Sequence, residues 1–108
     1  MLKVNVLGLS GCHWCRALTG ELDEISIPYS LKYADDHDAL ADYLENLLGT
    51  KEYPIMTISD NHKTLYYIYR PDSAAGLGLG KTSDGAHKIG CSTIKVMLST
   101  LQEILNKY

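Results

Sequence analysis

Lys3-Val4-Asn5-Val6-Leu7-Gly8-Leu9-Ser10-Gly11-Cys12-His13-Trp14-Cys15-Arg16-Ala17-Leu18 is the stretch on which the fold turns. Residues 2 to 7 alternate, with Leu2, Val4 and Val6 on one side and Lys3 and Asn5 on the other, the period of a half-buried strand. Gly8 to Gly11 break the alternation, and Ser10 is a candidate helix N-cap. From near Cys12 onward Trp14, Ala17, Leu18, Leu22 and Ile25 follow helical spacing until Pro28 stops it. A strand, a tight turn and a helix that starts at a pair of cysteines therefore open the chain.

The remaining elements follow from the same two periods. Tyr29, Leu31 and Tyr33 alternate with Ser30 and Lys32, a second strand. Asp35, Asp36 and Asp38 bring negative charge to the start of a second helix, where the macrodipole favours it. Leu40, Tyr43, Leu44, Leu47 and Leu48 make its apolar stripe, and Gly49 closes it. Ile55–Ser59 and Thr64–Arg70, separated by Asp60-Asn61-His62-Lys63, read as a hairpin. Residues 71–88 are glycine-rich with no apolar period, which reads as a long inserted loop. Ile94, Met97, Leu98, Leu101, Ile104 and Leu105 form the last amphipathic helix. The order β-α-β-α-β-β-α predicts an α/β protein: a three-layer α/β/α sandwich around a four-stranded mixed sheet.

At 108 residues the chain has room for one domain, 1–108. With 45% apolar and 21% charged residues it has the composition of a folded domain rather than a disordered one. A formal charge of −3 speaks against nucleic-acid binding. The apolar runs fall well short of the ~20 residues of a membrane helix, and the first residues carry no signal-peptide pattern. The expected setting is the cytoplasm, and the expected state a monomer.

The three cysteines are unevenly placed: Cys12 and Cys15 close together, Cys91 far downstream. A bridge between the first two closes a very short loop and adds little stability, so chemistry accounts for them better than stapling. At a helix start, unpaired backbone N–H groups and the dipole favour an anion, and a thiol there loses its proton more readily. Cys12, nearer the end, is the expected exposed thiolate. Cys15, one turn further in, is within reach of a mixed disulfide formed on Cys12. His13 is a candidate for tuning the pair, and Trp14 is a candidate contact surface for a partner.

Two other patterns compete for attention. Ala75-Gly76-Leu77-Gly78-Leu79-Gly80-Lys81-Thr82 nearly matches a phosphate-binding loop, but Ser83-Asp84-Gly85-Ala86 follows instead of a helix, so no nucleotide site is expected. Cys12 and Cys15 also have zinc-ligand spacing, with His13, His62, His87 or Cys91 available to complete four ligands, though no second close pair exists.

The chain resembles a glutaredoxin, of the thioredoxin-fold superfamily. Cys12-His13-Trp14-Cys15 matches that family's redox pair, Tyr53-Pro54-Ile55 its cis-proline, and Ile89-Gly90-Cys91-Ser92 the segment leading into its last helix. The resemblance implies a dithiol–disulfide oxidoreductase with Cys12 as nucleophile and Cys15 as resolving thiol. It implies that Pro54 is cis and faces the pair, and that the Tyr53 backbone meets a bound thiol peptide. Gly90, Cys91 and Ser92 would cap the last helix and hold glutathione, the expected reductant, through helix-start N–H groups. Disulfide-containing proteins are the implied substrates, with a thioredoxin-reductase-type enzyme as the other donor, and the resemblance also implies an alternative in which an iron–sulfur cluster is bridged between two copies through the first cysteine plus glutathione. The chain departs from the family at Leu9, where a basic residue is usual, at Ile89, Ser92 and Tyr53, and in the insertion before the last helix.

Overall fold

The computed structural model describes residues 1–108. The elements are β1 (Lys3–Gly8), α1 (His13–Glu24), β2 (Ser30–Tyr33), α2 (Asp38–Leu48), β3 (Ile55–Ser59), β4 (Thr64–Tyr69), β5 (Gly78–Lys81), β6 (His87–Gly90) and α3 (Ile94–Lys107). The strands form one sheet of six in the order β2-β1-β3-β4-β6-β5. β1 pairs parallel with β2, β4 pairs parallel with β6, and β3 runs antiparallel between β1 and β4. β1, β2, β4 and β6 therefore end at one common edge of the sheet.

Strand alternation sorts the apolar residues onto two faces. Val4, Val6, Met56, Ile58 and Ile68 meet Leu18 and Leu22 of α1 and Met97, Leu98, Leu101 and Ile104 of α3. Leu7, Ile55, Tyr67 and Tyr69 meet Ala41, Leu44 and Leu48 of α2. The molecule is thus α/β in three layers. Each fully buried aliphatic side chain such as Leu101 contributes roughly 1.5–3 kcal/mol by leaving water. No helix is long and apolar enough to cross a membrane.

The sheet is six-stranded, not four-stranded, because residues 71–88 do not form a loop. After a short 3₁₀ turn over Ala74–Gly76 the chain runs as β5 and returns as β6, antiparallel to it. Glycines replace the alternation that would have announced these strands, and at Gly90 the reason is close approach of another stretch of backbone. A Cβ on Gly90 would lie 2.0 Å from the Gly76 carbonyl oxygen, and one on Gly76 would lie 2.5 Å from the Pro71 Cβ. The turn between β5 and β6 is built on Thr82 and Asp84, with Gly85 at φ +89. Thr82 N–H donates to the Ala86 carbonyl (2.9 Å) and the Thr82 hydroxyl donates to Asp84 Oδ1. Asp84 Oδ2 accepts from Tyr67 of β4 (2.7 Å) and Tyr43 of α2 (2.9 Å), tying the new strands to both neighbours. Burial works to raise the Asp84 carboxyl, but donors from Thr82, Tyr67, Tyr43 and the Ala86 N–H outweigh it and hold it at about 2.

Three helix starts differ from expectation. Cys12, not Ser10, is the N-cap of α1; the Ser10 N–H donates instead to Asp35 Oδ1 (3.3 Å). Asp35 and Asp36 lie in a 3₁₀ turn that precedes α2, which begins at Asp38. Thr93 caps α3, its hydroxyl accepting from the Val96 N–H at 3.2 Å, whereas Gly90 belongs to β6 and Cys91 follows it. At α1 and α3 a side-chain sulfur or oxygen at the right distance, rather than residue type alone, selects the cap, whereas α2 follows His37 with no side-chain cap bond.

Candidate active site

The sheet edge at which β1, β2, β4 and β6 end gathers the turns that leave those strands, and crevices at such carboxyl ends are where open α/β sheets bind ligands. β1 delivers Gly8 to Cys12, and β4 delivers Arg70. β3, running the other way, starts there, since Ile55 stands opposite Leu7. Pro54 therefore sits beside the end of β1, buried, with its peptide bond from Tyr53 in the cis form.

Gly8 lets α1 sit close against β1: a Cβ there would lie 3.2 Å from the Cys15 Cβ and 3.3 Å from its Sγ. Gly11, at φ +75, turns the chain into the helix, and the Cys12 N–H closes that turn on the Leu9 carbonyl (3.1 Å). Cys12 is half-buried, while Cys15 is buried among the residues of the α2 face. The two are joined as a disulfide with a Cα–Cα distance of 5.3 Å, inside the range such bonds require. The Cys15 N–H points at Cys12 Sγ, 3.1 Å away. One of the orphan donors of the helix start is thus aimed at the outer sulfur, and negative charge on that sulfur is favoured by it and by the dipole behind it.

Trp14 projects outward, 50% exposed. The His13 ring meets its edge with centroids 5.4 Å apart, and the Arg70 guanidinium lies over its face, Cζ 4.9 Å from the ring centroid. Arg70 is a site residue that sequence reasoning missed; it ends a tyrosine-rich strand, and nothing local connects it with Trp14. Tyr53 is buried, its hydroxyl donating to Glu45 Oε2 at 2.8 Å. Burial first, and the Glu45 carboxylate second, push that phenol far above its ordinary value, so it remains a neutral donor. Tyr53 is in this way anchored to α2 by its side chain.

Gly90, Cys91 and Ser92 come to the same edge, but not as a helix cap. The Cys91 N–H donates to the Tyr69 carbonyl (2.8 Å), continuing the β4–β6 pairing. Cys91 is buried in the core under α3, its thiol facing the Ile89 carbonyl (3.8 Å) and the Thr100 hydroxyl (3.9 Å). Burial pushes that thiol up, only partly offset by Thr100. The backbone donor at Cys91 that glutathione would use is thus engaged, and Gly90 is a glycine because the Gly76 backbone presses on it. Ser92 alone of the three presents an exposed side chain at the edge.

No three His, Cys, Asp or Glu side chains converge anywhere in the chain. The donor set for a protein-only zinc site on Cys12 and Cys15 is therefore not assembled from His13, His62, His87 or Cys91. The phosphate-loop pattern at 75–82 is divided between the 3₁₀ turn and β5, with a turn after it in place of a helix. Compared with protein-family models, with curated proteins and with solved structures, the chain matches none.

Proposed function

We propose that the protein is a thiol–disulfide oxidoreductase of the glutaredoxin-like kind on a thioredoxin-type fold, acting through Cys12 and Cys15. The observation that carries this reading is the pair itself: bonded to each other, at the first turn of α1, with the outer sulfur receiving the Cys15 N–H.

In the reduced protein the Cys12 thiolate attacks one sulfur of a substrate disulfide. A Cys12–substrate disulfide forms, the substrate S–S bond breaks, and the other substrate sulfur leaves as a thiolate and takes up a proton. Cys15, having lost its own proton to solvent, then attacks Cys12 Sγ and expels the second substrate thiol, so two electrons pass to the substrate and the Cys12–Cys15 bond remains. An external thiol donor, two molecules of glutathione or one reduced dithiol protein, reopens it. Burial of Cys15 suits its part: it is shielded from partners yet within reach of Cys12. Trp14, half exposed, offers a flat apolar surface next to the sulfur.

The test is reduction of a mixed disulfide by the reduced protein. Cys12→Ser abolishes turnover, whereas Cys15→Ser accumulates a covalent adduct on Cys12 detectable by mass. Full activity in Cys12→Ser, or a brown preparation with visible absorbance in place of turnover, would refute it. Recycling of the oxidised protein by glutathione in one tube and by a thioredoxin-reductase-type donor in another identifies the reductant.

A further inference from the structure

The Arg70 guanidinium stacks on Trp14, yet one of its nitrogens has no hydrogen-bond partner. Its Nη1 is fully buried and makes no hydrogen bond, although buried polar groups of folded proteins are nearly always paired and a lone one costs about 1–3 kcal/mol, more when charged. The nearest candidate acceptor in sequence is Asp72, but its carboxylate is committed elsewhere. Oδ1 lies 2.9 Å from the Thr50 hydroxyl and accepts from the Lys51 N–H at 3.2 Å. The Thr50 hydroxyl also lies 3.0 Å from the Arg70 carbonyl, so backbone and carboxylate are pinned to the end of α2 while the guanidinium is left over Trp14. Arg70, Asp72, Ser73, Cys91 and Ser92 share the lining of an open cleft at this edge, in which Ser73 and Ser92 have exposed side chains and the one carboxylate, that of Asp72, is held by Thr50 and the Lys51 N–H. A planar guanidinium with free N–H groups, flanked by hydroxyls, matches the geometry of a carboxylate.

We propose that Arg70 anchors a carboxylate carried by the disulfide substrate, so that the protein selects peptides with an acidic side chain beside the reacting cysteine. This rests on the redox reading above, because the stack of Arg70 on Trp14 is what holds the anchor next to Cys12. Trp14 supplies the apolar floor for the peptide, and Arg70, whose side chain is partly exposed, supplies the charge. Attraction of this kind acts on substrate capture more than on the sulfur chemistry.

Trp14 is the only tryptophan, so its fluorescence reports the cleft directly. Two peptides are compared, identical except for Glu or Gln next to the cysteine, each made as a mixed disulfide and as an unreactive serine analogue. The wild type binds the Glu serine analogue about tenfold more tightly than the Gln one, and reduces the Glu disulfide with about tenfold lower KM at similar kcat. In Arg70→Gln both ratios fall to one, and in Arg70→Lys they are intermediate; thermal unfolding shows whether each variant is folded. Ratios near one in the wild type, or an unchanged preference in folded Arg70→Gln, overturn the proposal. If discrimination appears in fluorescence while neither disulfide is reduced, the redox function fails and the carboxylate anchor stands. If both disulfides are reduced with equal KM and bind equally, the anchor fails and the redox function stands.

Discussion

Replacing Gly90 by Ala separates two explanations of one residue. By resemblance this glycine makes room for glutathione; by its surroundings it makes room for the chain itself. The new Cβ would lie 2.0 Å from the Gly76 carbonyl oxygen, 2.9 Å from its carbon and 3.2 Å from the Leu77 Cα, all backbone atoms. Relief requires a movement of about an ångström or more, and Gly76 cannot retreat freely because Pro71 lies behind it. Forcing a methyl into such a place costs roughly 1–3 kcal/mol, and each kcal/mol lowers the Tm of a domain this size by about 4–8 °C. The expected Tm drop for Gly90→Ala is therefore about 5–20 °C by circular dichroism. Gly20→Ala is the control: nothing lies within 4 Å of its Cβ position and it sits within α1, so it should stabilise by about 0.5–1 kcal/mol. A Gly90→Ala protein as stable as wild type, with only its recycling by glutathione impaired, would refute the packing argument.

Two further outcomes are expected. Asp84→Asn should cost about 1 kcal/mol at neutral pH, a figure kept small by exposure to solvent. Because the folded value of about 2 lies below the 3.8 of an ordinary aspartate, the contribution is complete above that ordinary value and is lost as the pH falls toward 2. The stability gap between wild type and variant in urea titrations should close over that acid window; a constant gap would show that charge is not involved. Cys91, buried with its thiol pushed up, should resist iodoacetamide in the reduced native protein and react only after unfolding. Rapid alkylation of Cys91 in the native state, located by peptide mass, would contradict its burial.

What the amino-acid order determined by itself was the part built from local periods and local punctuation. The first strand (read at residues 2 to 7, observed at Lys3–Gly8), the helix after Cys12, the stripe on α2 and the stripe from Ile94 to Leu105 each declare themselves within a dozen residues, since side chains there must sort between water and core. So does the cysteine pair, because its spacing and its place at a helix start are both local. The three-dimensional structure alone decided the rest. β5 and β6 are held by backbone pairing, and their glycines, with no side chains, carry no period. The cap of α1 moved to Cys12 and the cap of α3 to Thr93 because distances, not residue preferences, choose between neighbouring candidates. Arg70 over Trp14, and Tyr43 and Tyr67 on Asp84, join elements far apart in the chain. Contacts of that kind arise when separate layers pack, and no stretch of sequence read alone contains them.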